Sequence, residues 1–261
     1  MIVLFFGDIV GEEATAHLAK RLPELRADHH ADLVIANAEN CAPNGLGMAS
    51  KQVELLFASG VDVVTGGNHS WDSGESVKLL EHPRVIRPFN VGTVVPGRGS
   101  THLEVAGEEV TVLNLADRCA MRSVVATAGQ VEPAYHGGWL KAPRNGTVIV
   151  DYHGDHVIEK KIFARAVDGE AAAVLGTHTH EPTLPLHILP GGTALVTDVG
   201  MTGPEGGVQG FAYDSFVTGL KTAGDPMTLP LPSPLSGQPI TLGGVVLEIE
   251  DGLTRKLARL S

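Results

Sequence analysis

Short, unbroken runs of apolar and β-branched residues recur along this chain and constrain its fold more than any other feature. They occupy residues 2–6, 33–36, 61–65, 147–150, 172–175 and 194–196. Continuous rather than alternating hydrophobicity is typical of strands that are buried on both faces. The intervening residues 12–29, 50–59, 73–81 and 156–167 are predicted helices, although Pro23 argues against a straight, uninterrupted first helix. We therefore predict an α/β fold whose first half runs β-α-β-α-β.

Two later segments have a different pattern. Residues 101–115 alternate in polarity around a central turn, and residues 241–249 and 253–260 do the same near the end of the chain, so both are predicted antiparallel hairpins. A parallel sheet with antiparallel additions and helices outside is therefore expected. Segments rich in Gly and Pro are interpreted as loops rather than linkers: 190–193, 200–210 and 226–239. We expect residues 1–261 to form a single domain.

Composition limits the classes of partner and compartment. The chain has 261 residues, 43% of them hydrophobic, which is enough for one sizeable core. Its net charge of −11 and its lack of a Lys/Arg block make extended nucleic-acid binding unexpected, whereas a bound metal could still attract a small anionic substrate. The apolar start is too short for a membrane span and lacks the features of a secretory signal, so no membrane association is expected. Cys41 and Cys119 cannot supply a disulfide framework, which favours a reducing, cytoplasmic location, although a single bridge stays open.

Polar side chains suited to metal binding or proton transfer follow five of the apolar runs. They are Asp8, Glu39, Asn40, Asn68, His69, His153, His178 and His180. The carboxyl ends of parallel strands and their loops meet at one edge of an open α/β sheet, which is where such folds bind ligands. The sequence therefore predicts a functional site at that edge.

Several of these residues have a purely structural explanation when taken alone. Asp8 could cap the following helix, Glu39 could bind loop backbone, and His69 could be a surface residue of a glycine-rich turn. His178 and His180 are separated by one residue, so both point to the same side of an extended segment, as two metal ligands would. Nitrogen and oxygen ligands without cysteine favour Fe, Mn, Zn or Co. Two such ions, about 3.5–4 Å apart, suit phosphoester hydrolysis.

Seven motifs occur in a recognisable order. They read FFGDIVG (5–11), NAENCA (37–42), GGNHSWD (66–72), RPFN (87–90), VDYHGD (150–155), VLGTHTH (174–180) and TDVGMTGP (197–204). This series resembles the YmdB-like family of the calcineurin-like metallophosphoesterase superfamily over essentially the whole chain. The resemblance implies a four-layer αββα sandwich with two mixed β-sheets and a dinuclear metal site at the sheet edge. It also implies that residues 198–204 approach the site as a substrate wall.

The resemblance further implies a division of the ligands between two divalent transition-metal ions, Fe or Mn above all, with Zn or Co as alternatives. The first ion would take Asp8, Glu39 and His180, with Asn40 as an additional ligand. The second would take Glu39, Asn68, His153 and His178, with Glu39 bridging the two. The wider superfamily has a histidine two residues after the first aspartate, where this chain has Val10, so the first ion is expected to be ligand-poor.

The reaction implied by the resemblance is hydrolysis of small phosphodiesters, notably 2′,3′-cyclic nucleotides, by a hydroxide that bridges the two ions. His69 would be the catalytic residue that protonates the leaving oxygen. A homo-oligomer is compatible with the resemblance.

Two alternative functions stay open: a non-catalytic scaffold of the same fold that binds RNA or a protein partner, and a metal-dependent hydrolase acting on amides. The filled ligand positions favour an enzyme over the scaffold.

Overall fold

The computed structural model describes residues 1–92, 95–123 and 131–260. In chain order the strands are β1 (Ile2–Phe6), β2 (Leu33–Asn37), β3 (Val63–Thr65), β4 (Ser100–Val105), β5 (Glu108–Ala116), β6 (Thr147–His153), β7 (Ala173–Thr177), β8 (His187–Ile188), β9 (Ala194–Val196), β10 (Gly203–Pro204), β11 (Ile240–Thr241), β12 (Gly244–Glu250) and β13 (Leu253–Arg259). The α-helices are α1 (Gly11–Asp28), α2 (Ser50–Ser59), α3 (Gly74–Leu79), α4 (Val157–Ala166) and α5 (Asp214–Ala223).

The strands form two large mixed sheets. The first has the order β13-β12-β1-β2-β3, in which β1, β2 and β3 are parallel and β12 pairs antiparallel with β1. The second has the order β4-β5-β6-β7-β9-β8, with a parallel centre and antiparallel strands at both edges. Strands β10 and β11 form a small separate pair. The parallel centres follow from crossover connections between the strands, and the antiparallel additions follow from the hairpins β4-β5, β8-β9 and β12-β13.

The core is divided into layers by the alternation of side chains along the strands. In β1, Val3 and Phe5 belong to the cluster between the two sheets, whereas Leu4 and Phe6 pack with the buried faces of α1 and α2. On the far side of the second sheet, Phe163 of α4 packs in a cluster with Val150 of β6. The predicted four-layer αββα sandwich with two mixed sheets is therefore confirmed.

Most of the predicted elements are confirmed, including both hairpins. Helix α1 runs without interruption through Pro23, so the predicted break is wrong. Pro23 lies on the exposed side of the helix, where water can solvate the carbonyl that loses its partner. Helix α5 was not predicted. Cys41 and Cys119 are free thiols, which closes the question of a bridge. None of the described helices combines the length and the apolar character that a bilayer crossing requires.

Candidate metal centre

The ligand candidates come from two sheets whose carboxyl edges meet. Asp8, Glu39, Asn40 and Asn68 lie in the loops that follow β1, β2 and β3 of the first sheet. His153 is the last residue of β6, and His178 and His180 follow β7 of the second sheet. The functional edge predicted from the sequence is thus shared between the two sheets, and no single sheet carries all of these residues.

Three of the predicted ligands converge on the buried ring of a fourth, His153. Its Nε2 lies 3.1 Å from Glu39 Oε1, 2.9 Å from Asn68 Oδ1 and 3.0 Å from His178 Nδ1. A ring nitrogen carries at most one hydrogen, so these three contacts cannot all be satisfied as hydrogen bonds. Ligand atoms of Glu39, His153 and His178 all lie within 4.8 Å of one another, as a metal site requires.

The spacing and chemistry of these donors fit a divalent transition metal. Neighbouring ligands about 2.1 Å from an ion and at right angles to each other stand about 3 Å apart. The contacts made by His153 Nε2 match that separation. In addition, Asp8 Oδ1 and Asn40 Oδ1 are buried oxygens without a hydrogen-bond partner among the described residues. Buried oxygens of this kind are rare without an ion or water, so the donor set fits a metal.

Asp8 and His180 lie together on the other side of the site. Asp8 Oδ2 accepts a hydrogen bond of 2.9 Å from the backbone N–H of His178. Its second oxygen, Oδ1, lies 3.9 Å from His180 Nε2 and 3.8 Å from His153 Nδ1. The amide nitrogen of Asn40 donates to Gly45 O at 2.8 Å, which holds the Asn40 side chain in place. The structure therefore brings every predicted ligand to one edge.

A hydrogen bond to the remote ring nitrogen orients each histidine. His153 Nδ1 lies 3.0 Å from Thr177 Oγ1, and that hydroxyl donates to Asp151 Oδ1 at 2.6 Å. Partners of this kind fix which nitrogen is free to bind a metal. These supporting residues were not predicted as functional from the sequence.

The other two histidines are held in the same way. His178 Nε2 lies 3.2 Å from Asp155 Oδ1, which leaves Nδ1 towards the cluster. His180 Nδ1 lies 3.0 Å from the backbone oxygen of Gln209, which leaves Nε2 towards Asp8. Of these two partners, Asp155 and Gln209, the sequence pointed only to Asp155, because it lies inside the VDYHGD motif.

The charges of the cluster are strongly coupled. Burial alone lowers the pKa of His153, but the charge and hydrogen bond of Glu39, together with Asp8 and Asp151, raise it to about 9. Burial raises the pKa of Glu39, but the charge and hydrogen bond of His153, together with the charges of His69 and His178, lower it to about 2. Burial also raises the pKa of Asp151, to about 6. Without a metal the site is thus held together by an imidazolium facing a carboxylate.

His69 lies beside the cluster without joining it. Its backbone N–H donates to Glu39 Oε2 at 3.0 Å, and its ring Nδ1 lies 2.5 Å from Asp72 Oδ2. Burial lowers the pKa of His69, but the hydrogen bond to Asp72 and the charges of Glu39 and Asp72 raise it above its ordinary value. Because Nδ1 is occupied by Asp72, Nε2 is the nitrogen that can exchange a proton with a ligand.

Glycine is required where the third strand meets the cluster. A Cβ on Gly67 would collide with Glu39 Oε2 and with the ring of His153. The pair of glycines before Asn68 and His69 therefore allows the backbone to pass directly beneath the ligands.

A cavity of about 720 Å³ opens above the donor cluster. Its lining includes the polar side chains of Glu39, Asn68 and His69, a cationic side chain from Arg122, and an apolar wall. That wall contains Leu46, Phe211, Met227 and Leu231.

The segment predicted as a substrate wall has a different position. The described lining of the 720 Å³ cavity includes none of residues 198–204. Asp198 and Val199 are buried behind residues 178–180, here called the histidine loop, because Asp198 binds the backbone of Thr179 there. Contrary to the expectation, residues 198–204 do not line the described part of this cavity, and its apolar wall comes from the loops around Phe211 and Met227.

Comparison with known proteins finds a matching family and a relative of nearly the same length. The model of the family described as "YmdB-like protein" matches residues 4–260. A 2′,3′-cyclic-nucleotide 2′-phosphodiesterase of Bacillus subtilis is 34% identical over 269 residues, covering 100% of this chain and 95% of that protein.

Two solved structures have the same fold over nearly the full length. A hypothetical protein from Thermus thermophilus superposes with a TM-score of 0.86 at 35% identity, covering 99% of this chain and 97% of the other. A structure described as a novel phosphatase from Mycoplasma pneumoniae gives a TM-score of 0.87 at 31% identity, covering 99% and 92%. The motifs, the shared edge of the two sheets and these matches lead to one conclusion: the chain belongs to the YmdB-like family.

Proposed function

We propose that this chain, as one metallophosphoesterase domain, is a metal-dependent phosphodiesterase that hydrolyses small phosphodiesters, with 2′,3′-cyclic nucleotides as its substrate class. The observation that carries the proposal is the convergence of Glu39, Asn68 and His178 on His153, directly below a cavity that His69 also lines. The activity printed for the Bacillus subtilis relative supports the choice of substrate.

The donor set would hold two divalent transition-metal ions, Fe or Mn in preference to Zn or Co. We assign Asp8, Glu39, Asn40 and His180 to one ion, and Glu39, Asn68, His153 and His178 to the other. When bound, two such ions lower the pKa of a coordinated water towards about 7 and neutralise charge on the phosphoryl oxygens. The unpartnered oxygens of Asp8 and Asn40 support the assignment of the first group.

The chain itself supplies the general acid. With Nδ1 held by Asp72, the ring proton that His69 can donate lies on Nε2. Burial lowers the pKa of His69, but the hydrogen bond to Asp72 and the charges of Glu39 and Asp72 raise it above its ordinary value, which favours the protonated form relative to a free imidazole. Leaving oxygens of a nucleoside are poor leaving groups unless they are protonated as the bond to phosphorus breaks. His69 would deliver that proton, and Asp72 would hold the ring in the productive orientation.

The cavity matches the two ends of a nucleotide. Ions held by the donor cluster would supply positive charge for a phosphate, and Arg122 adds a cationic side chain, whereas Leu46, Phe211 and Met227 offer apolar surface to the ribose and base. A site with a few convergent polar groups and an otherwise apolar wall is typical of small-molecule binding.

The test is hydrolysis of 2′,3′-cyclic AMP, a phosphomonoester and an amide by Mn²⁺-loaded protein, with His69→Ala and the surface control His187→Ala. We expect cyclic nucleotide hydrolysis in the parent and the control, and a loss of at least about 100-fold in turnover for His69→Ala. Amide hydrolysis without phosphodiester hydrolysis would refute the proposal. So would a folded parent protein that binds RNA or protein without turning over any of the three compounds.

A further inference from the structure

A segment outside the cavity connects the two loops that carry the ligands. Residues 197–202, here called the strap, follow β9 and run behind the site. Thr202 N–H donates to Asp8 O at 2.9 Å, and Met201 N–H donates to His180 O at 3.1 Å. Asp8 belongs to the first sheet and His180 to the second, so the strap connects the ligand loops of the two sheets.

Asp198 is the residue of the strap that binds the histidine loop most extensively. Its Oδ2 accepts from both the backbone N–H of Thr179 at 3.0 Å and the hydroxyl of Thr179 at 2.7 Å. Its Oδ1 accepts from Gly200 N–H at 2.8 Å, and the residue is only 3% exposed. Thr179 lies between His178 and His180, so this carboxylate holds the centre of the loop that bears two ligands.

The loop held by Asp198 has a backbone that needs external support. His178 has φ 95° and His180 has φ 64°, both in the left-handed region that favours glycine. Side chains with a Cβ stay in this region only when their surroundings overdetermine the conformation. The bonds from Thr179 to Asp198 lie between these two residues and supply such a constraint.

A buried lysine holds Asp198 and the strand ends in place. Lys160 is 1% exposed, and its Nζ donates to Thr177 O at 2.9 Å and Thr197 O at 2.8 Å. It lies 3.9 Å from Asp198 Oδ2. These bonds tie the carboxyl ends of the neighbouring strands β7 and β9 together just before the histidine loop and the strap begin.

We propose that Asp198 is a positioning residue for the metal centre, which fixes His178 and His180 through Thr179 while the strap sets their distance from Asp8. This role rests on the proposed metal-dependent function. It also explains why the TDVGMTGP motif contributes no wall to the cavity. A carboxylate is needed at residue 198 because its two oxygens accept from three donors. Asparagine would replace one of these oxygens with an amide nitrogen, which is itself a donor and would face another donor.

The first test compares Asp198→Asn with Asp168→Asn in chelator-treated protein. Asp168 also accepts from two backbone N–H groups of a turn, those of Gly191 and Thr193, but at the opposite end of β7 and β9. Mn²⁺ affinity is measured by competition with a chromophoric chelator, and stability by urea unfolding. We expect at least about tenfold weaker Mn²⁺ binding for Asp198→Asn and parent-like binding for Asp168→Asn.

A second pair of variants keeps the test decisive if Asp198→Asn does not fold. Thr179→Val removes the hydroxyl that binds Asp198 and keeps the shape of the side chain, whereas Thr179→Ser keeps the hydroxyl. We expect weakened Mn²⁺ binding in the valine variant and recovery in the serine variant. If Asp198 contributed only to global stability, Asp198→Asn and Thr179→Val would lower the urea midpoint. Neither variant would then bind Mn²⁺ more weakly than its control.

The outcomes separate this inference from the proposed function. A parent protein that binds Mn²⁺ tightly, with Asp198→Asn and Thr179→Val binding it equally tightly, would refute the positioning role alone. A well-folded parent that binds no Mn²⁺ would refute the metal-dependent function and the positioning role together.

Discussion

Replacing Thr177 with valine tests whether the chain of hydrogen bonds behind His153 orients that ligand. The Thr177 hydroxyl is fully buried, accepts from His153 Nδ1 at 3.0 Å and donates to Asp151 Oδ1 at 2.6 Å. Valine has the same shape, so the main loss is these two bonds. A buried polar group left without its partner costs about 1–3 kcal/mol, which sets an upper limit of about 6 kcal/mol for the two. Asp151 keeps the donors Thr65 and Asn37, so we expect about 2–3 kcal/mol.

The informative result is the effect on metal binding relative to a matched control. Thr193 is equally buried, donates to Ala171 O at 2.6 Å and accepts from Gly169 N–H at 3.0 Å, far from the cluster. Urea unfolding of metal-free protein should show similar losses of stability for Thr177→Val and Thr193→Val. Loss of a partner to a ligating histidine costs about 10–100-fold in metal affinity, and we expect that loss only in Thr177→Val. Equal Mn²⁺ affinity in the two variants would refute the orienting role.

Three further predictions follow from the same cluster. Gly67→Ala should weaken Mn²⁺ binding because its Cβ collides with the His153 ring, whereas Gly74→Ala, with open space around its Cβ, should bind like the parent in the same titration. The raised pKa of His153, about 9 without metal, means that a metal must displace a proton below that pH, so Mn²⁺ affinity should fall up to about tenfold per pH unit as the pH is lowered. Calorimetry in buffers of different ionisation enthalpy should detect the released proton, and a pH-independent affinity would contradict the coupling. Asp72→Asn should lower the pKa of His69 and move the alkaline limb of the pH profile of kcat/KM to lower pH, and an unmoved limb would rule out His69 as the acid.

Sequence patterns predicted most of the fold because parallel strands that are buried on both faces form continuous apolar runs in the sequence. The runs that form β1 and β2 are continuous apolar segments, and Asp8 and Glu39 could be placed at strand ends for that reason alone. Helix α5 was missed because its segment lies between loops rich in Gly and Pro, and only Gly219 of this helix is buried.

The residues that orient the metal ligands could not be predicted from the sequence for a different reason. Gln209 lies 29 residues from His180 in sequence, and Thr177 lies 26 residues from Asp151, so only tertiary structure and strand register bring these pairs together. Hydrogen bonds of this kind leave no local signal in a sequence. Asp198 lies within the TDVGMTGP motif, but its burial behind Thr179 could be seen only in three dimensions.

The most direct measurement uses two neighbouring residues with different proposed roles. Metal content and hydrolysis of bis-p-nitrophenyl phosphate and 2′,3′-cyclic AMP are compared among the parent, Asn68→Ala and His69→Ala after reconstitution with Mn²⁺. Asn68 Oδ1 lies in the donor cluster, whereas the ring of His69 binds Asp72 beside it. We expect Asn68→Ala to lose metal and activity together, and His69→Ala to keep its metal while turnover is lost. Full metal content in Asn68→Ala, or full activity in His69→Ala, would contradict the assignment of ligand and acid.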